Sequence, residues 1–157
     1  MFDNFLIVPD SLKNDRDETG KVTGFQFAVR IADYRGCFLS LHNGYYLECD
    51  GVRYPREKQR FSINGKPPRS FEALKSCCWE HWNYDDAGIL HVEKPGGLAP
   101  GTHKLRLQQS ILAQYGYMPW DEEWLKHPPE PGSGAGAGKT ETISEFELEL
   151  QEGGATA

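Results

Sequence analysis

An all-β fold, two antiparallel sheets packed as a sandwich of jelly-roll-like topology, is what this sequence predicts. Apolar residues recur with period two and no segment sustains a period of 3.6. Turn dipeptides that tolerate positive φ (Asn43-Gly44, Asp50-Gly51 and Asn64-Gly65) fall close together, as in an antiparallel meander. Short strands joined by Gly- and Pro-rich turns suit two stacked sheets.

The first element is TGFQFAVRI. Phe25, Phe27, Val29 and Ile31 share one face, and Gln26, Ala28 and Arg30 share the other, the signature of a half-buried strand. CFLSL follows, with Cys37, Leu39 and Leu41 on one face, and then YYLEC, with Tyr45, Leu47 and Cys49. Asn43-Gly44 between them reads as a hairpin turn, and Asp50-Gly51 as the next. Asn64-Gly65 closes the short run Phe61-Ser62-Ile63. Arg69 to Lys75 is the one segment that suits a short helical turn, or else a loop returning Phe71 and Leu74 to the core. The segments CCWEHWNY and AGILHVEK come next. The stretch from Lys94 to Gly101 makes a pair of turns, with proline presetting φ and glycine supplying the reversals. It feeds a long strand, THKLRLQQSIL, with Leu105, Leu107 and Ile111 on one face. Gln109 interrupts that face, which predicts a sheet-edge or partly wet position. The domain reading is a sandwich over 1–126, a flexible Pro/Gly-rich linker over 127–140, an alternating strand over 141–151 that returns to the sandwich or pairs with a partner, and a frayed tail over 152–157.

The formal net charge of -6 argues against nucleic acid, which needs a basic surface. No stretch approaches the roughly 20 apolar residues of a membrane span. The N-terminal MFDNFLIVPD lacks the basic start and long apolar run of a signal peptide, so the expected location is cytoplasmic. Cys37, Cys49, Cys77 and Cys78 show no zinc-knuckle spacing and read as reduced thiols.

Chemistry of the chain's own is scarce. The histidines at 42, 81, 91, 103 and 127 include no H-x-H or H-E-x-x-H pair, so no metal site is expected. There is no G-x-S-x-G elbow. GSGAGAGK is not a phosphate loop, because Ser133 stands where the first glycine belongs. Asp85-Asp86 and Glu122-Glu123 are adjacent carboxylates that point apart on loops. His91 and Glu93 share a strand face, but two residues do not make a site. No catalytic residue is assigned. Aromatic residues, by contrast, exceed what a small core must hold. Trp79 and Trp82 divide between core and surface roles, and the Tyr115 to Trp124 segment reads as an interface.

Several blocks resemble the beta subunit of C-glycoside deglycosidases. They are GFQFAVRI at 24–31, YRGCFLSL at 34–41, ECDG at 48–51 with VRYPR at 52–56, KPGGL at 94–98 and PGTH at 100–103. Together they span roughly residues 2 to 118. Cys49 stands where valine is common, and the 120–157 region departs most. The resemblance implies a non-catalytic subunit that binds a TIM-barrel alpha subunit. On that implication, the partner holds the acid/base residues and a divalent metal, often manganese, and the complex cleaves the carbon–carbon bond of 3-oxo-C-glycosides. This chain would have no cofactor of its own. Tyr34, Arg35 and Gly36, with Tyr115, Tyr117 and Trp120, are the expected contacts to partner and substrate. The competing readings are a stand-alone, lectin-like carbohydrate-binding module and a self-sufficient sandwich enzyme.

Overall fold

The computed structural model describes residues 6–30, 37–77, 80–83, 86–111 and 144–150. The strands in chain order are β1 (Lys13–Arg16), β2 (Val22–Val29), β3 (Cys37–Phe38), β4 (His42–Cys49), β5 (Val52–Arg53), β6 (Gln59–Ser62), β7 (Arg69–Ser70), β8 (His81–Trp82), β9 (Gly88–Glu93), β10 (Gly101–Ile111) and β11 (Ser144–Leu150). One helical turn, α1 (Phe71–Leu74), follows β7. Its N-terminus is capped by Ser70, whose Oγ accepts from the Ala73 N–H at 3.1 Å. The aromatic segment 115–124, the linker 127–140 and the tail 152–157 lie outside the described residues.

One sheet runs β1-β2-β9-β6-β7 and the other β11-β10-β4-β5, with β3 and β8 forming a separate pair. All pairings are antiparallel. Because β9 inserts between β2 and β6, and β10 lies beside β4, the chain passes repeatedly from one sheet to the other, as expected of a jelly-roll-like sandwich.

The period-two pattern explains the core. Phe25, Phe27 and Val29 of β2, Phe61 of β6, Leu90 and Val92 of β9, Tyr45 and Leu47 of β4, and Leu105 and Leu107 of β10 are all buried and belong to one cluster. Each such side chain contributes about 1.5–3 kcal/mol on leaving water. Trp82 is buried in the same cluster, while Trp79 lies outside the described residues. A polar contact also joins the sheets. Gln59 of β6 accepts from the Tyr45 N–H at 3.1 Å and donates to Tyr45 O at 2.8 Å and Tyr54 O at 2.9 Å. A fully buried amide is thereby saturated by backbone of the opposite sheet.

Three sequence expectations need correction. CFLSL is not a strand throughout: only Cys37–Phe38 pairs, with His81–Trp82, and Leu39–Leu41 forms a single 3₁₀ turn. The turn redirects the chain toward β4 while burying Leu39 and Ser40, and the Leu39 N–H is satisfied by Glu80 O at 2.8 Å. Asn43-Gly44 is not a hairpin turn but lies inside β4. Gly44 pairs with Ser110 beside a β-bulge, at φ +112, where a Cβ would press on Arg56 Cγ at 3.2 Å. Gln109 is neither wet nor at an edge. It is fully buried and donates to Arg30 O at 2.9 Å and Tyr45 Oη at 3.0 Å. Asp50-Gly51 and Asn64-Gly65 do carry the paired positive φ of tight turns.

Candidate functional site

Two ends of the sandwich differ in chemistry. At one, the chain leaves β2 at Arg30 and β10 at Ile111, and it enters β4 at His42. The Gln109 bond to Arg30 O ties the first two points together. The segments carrying the sequence-predicted contacts, Tyr34, Arg35 and Gly36 on one and Tyr115, Tyr117 and Trp120 on the other, therefore depart from adjacent positions. Those six residues lie outside the described residues.

Polar side chains concentrate at this end. Ser40, His42, Asn43, Gln108, Gln109 and Ser110 are all buried. Asn43 donates to Ser110 Oγ at 3.1 Å, across β4 and β10. Arg56 lies along β4, donating from Nε to Asn43 O at 2.6 Å and from Nη1 to Glu72 at 3.0 Å. His42 sits in an aromatic box. The rings of Phe61, Trp82, Phe71 and Tyr45 stand 4.7, 4.9, 4.9 and 5.1 Å from it, centre to centre. Neither of its ring nitrogens has a hydrogen-bond partner among the described residues. Burial, reinforced by the nearby Arg56 charge, pushes its pKa down to about 3, so the imidazole is neutral. An interior this polar is unusual for a sandwich of this size, because each uncompensated buried polar group is destabilising.

At the other end, the Lys94 to Gly101 corner is fastened from both sheets. Asn14 of β1 donates to Leu98 O and accepts from the Leu98 N–H, both at 2.9 Å. Gly97 packs so closely that a Cβ there would stand 2.4 Å from Asn14 Oδ1. His103 of β10 bridges Asp50 Oδ2 at 2.5 Å and Ala99 O at 2.6 Å. Two acceptors on two ring nitrogens require an imidazolium. Burial opposes that charge, but the bonds to Asp50 and Ala99 outweigh it and raise the pKa. The ECDG and PGTH blocks thus meet in one ion pair, beside the KPGGL block that Asn14 holds.

Cys49, Asp50 and His103 also bring their donor atoms within 4.8 Å of one another, a spacing open to a metal ion. The donor set does not suit one. Both imidazole nitrogens are already engaged, and burial, with the Asp50 charge beside it, pushes the Cys49 thiol up to about 12, far from the thiolate a metal needs. The cluster works as a structural clamp.

Sequence reasoning missed His42, Asn43, Gln109, Arg56 and Asn14. Of these, only Gln109 left a mark in the pattern, as a polar residue on an apolar face.

The comparisons with known proteins agree with one another. A family model described as "C-glycoside deglycosidase beta subunit" matches residues 2–115. A curated protein of that same description from Eubacterium cellulosolvens is 33% identical over 103 residues, covering 66% of this chain and 69% of its own length.

Proposed function

We propose, from the premise that this chain belongs to the C-glycoside deglycosidase beta subunit family, that it shapes and closes the active site of a TIM-barrel alpha subunit without itself supplying a catalytic group. The substrate class is a 3-oxo-C-glycoside. The ketone at C3 acidifies the proton at C2, a base on the partner removes it, and the aglycone carbon departs from C1 with the bonding electrons. A divalent metal held by the partner, often manganese in such enzymes, supplies electrophilic stabilisation of the developing negative charge.

This chain contributes position and exclusion of water. Its wall orients a bulky aglycone and keeps solvent from the reacting carbons. The observation that carries the reading is the convergence at the polar end: the segment after β2 and the segment after β10 leave the fold within one side-chain hydrogen bond of each other. Residues Tyr34, Arg35 and Gly36 of the first, and Tyr115, Tyr117 and Trp120 of the second, are the proposed contacts.

The test is co-expression with the TIM-barrel partner. A stable heteromer with metal-dependent cleavage of oxidised C-glucosides is expected, and neither isolated subunit should match it. Replacing Tyr34 and Arg35 together by alanine should weaken assembly or turnover at least tenfold. Cleavage of oxidised C-glucosides by this chain alone would overturn the proposal. So would a chain that forms no complex and binds unmodified glycans by itself.

A further inference from the structure

The outer face of the five-stranded sheet carries an arrangement that no sequence motif marks, because its members lie on three different strands. Asp15 of β1, His91 of β9 and Ser62 of β6 form a continuous hydrogen-bonded line. His91 Nδ1 donates to Asp15 Oδ2 at 2.9 Å, and Ser62 Oγ donates to His91 Nε2 at 2.8 Å. Alternation places all three on the solvent side, with Asn14, Phe61, Leu90 and Val92 turned inward. Asp15 pairs with Gly24 and His91 with Gln26, so the carboxylate reaches the imidazole across β2. The Asp15 and His91 side chains are 19% and 18% exposed, enough to exclude bulk water from the bonds while leaving them approachable. A groove of about 430 Å³ adjoins them, lined by both residues and by Arg16, Glu57, Lys58 and Arg60.

We infer that Ser62 is a nucleophile activated by His91 and Asp15, and that this face cleaves small polar carboxylic esters. Aspartate, histidine and serine stand in the order and at the spacing that acyl-transfer sites on unrelated folds share. Asp15 accepts from Nδ1 and so orients the ring, and His91 Nε2 accepts the Ser62 proton. The Ser62 oxygen bonds to the acyl carbon, the ester C–O bond breaks, and the proton passes from His91 to the departing alcohol. Water, deprotonated by His91, then releases the carboxylic acid and restores Ser62. Arg60 pairs with His91 in register and lines the groove, two residues before Ser62 on the same side of β6; it is the charged side chain placed to donate to a developing oxyanion. The mixed charge of the groove suits polar esters rather than lipids. This inference rests on residues other than those of the proposed function and stands or falls separately.

The test uses the 157-residue chain with a fluorophosphonate reagent and with p-nitrophenyl acetate. One covalent adduct per chain is expected, at Ser62 by peptide mass spectrometry. It should be absent in Ser62→Ala and at least tenfold slower to form in His91→Gln. Asp15→Asn should lower kcat for the acetate at unchanged KM, which a merely structural role would not do. A folded wild-type chain with Ser62 unmodified would overturn the inference whatever the variants do, as would hydrolysis undiminished in Ser62→Ala.

Discussion

His42→Phe should make the protein more stable, and more so in mild acid. The wild-type imidazole is neutral inside an aromatic box, with its pKa at about 3 against an ordinary value of 6.5. Between those two values the unfolded chain binds a proton that the folded chain refuses. Stability is therefore intact above about pH 6.5 and falls as pH drops toward the folded value. At 1.36 kcal/mol per unit, the penalty at pH 5 is about 2 kcal/mol. Phenylalanine fills the same space against Phe61, Phe71, Tyr45 and Trp82 and carries no nitrogen to leave unpaired. Removing the unpaired polar atoms should add about 1–2 kcal/mol at pH 7.5, and removing the proton linkage should add about 2 more at pH 5. Asp50 and Glu72, whose carboxyls are held below their ordinary values by His103 and Arg56, are shared by both proteins and cancel in the difference. Urea unfolding of wild type and variant at pH 7.5 and 5.0 gives the double difference directly. If the two proteins lose stability in parallel between those pH values, His42 is hydrogen-bonded or solvated and the reasoning fails.

Two further outcomes concern the fastened corner. His103→Gln removes an imidazolium whose pKa is raised, so its contribution is complete below about pH 6.5 and disappears as pH rises through the folded value. Asp50 is nearly half exposed, which screens the charge, so the loss should be about 1 kcal/mol at pH 6 and smaller at pH 9 by urea unfolding; an equal loss at both would exclude the ion pair as its source. Asn14→Ala strips both backbone groups of Leu98 of their partner and should cost about 2 kcal/mol, with faster amide exchange at Leu98 as the local readout.

What the sequence revealed is what local periodicity encodes. β2 and the part of β10 up to Leu107 alternate because each has one face in the core, and Asp50-Gly51 and Asn64-Gly65 turn because their flanking strands pair across them. Asn43-Gly44 has the same chemistry and a different use: its glycine absorbs a bulge and makes room for Arg56, neither of which leaves a trace in neighbouring residues. Gln109 reads as an intruder until its partners are known, and they come from Tyr45 and Arg30, 64 and 79 positions away. The same holds for Asp50 with His103 and for Asp15 with His91, which meet only once the chain has crossed between strands. The family blocks are legible as motifs, yet the ion pair by which Asp50 of ECDG meets His103 of PGTH is displayed only by the fold.

The four-stranded sheet shows its outer side as a row that changes sign at every step: Glu145 on β11, Arg106 on β10, Glu48 on β4 and Arg53 on β5 face one another in register, with Arg106 and Glu48 bonded at 2.6 Å. Such a row has strong fields at contact range and almost none farther off. Beyond the screening distance of about 10 Å, approaching ions or macromolecules of either sign feel neither pull nor push from it. Whatever settles on that row must be recognised by fit at close quarters, because the row itself exerts no attraction from a distance.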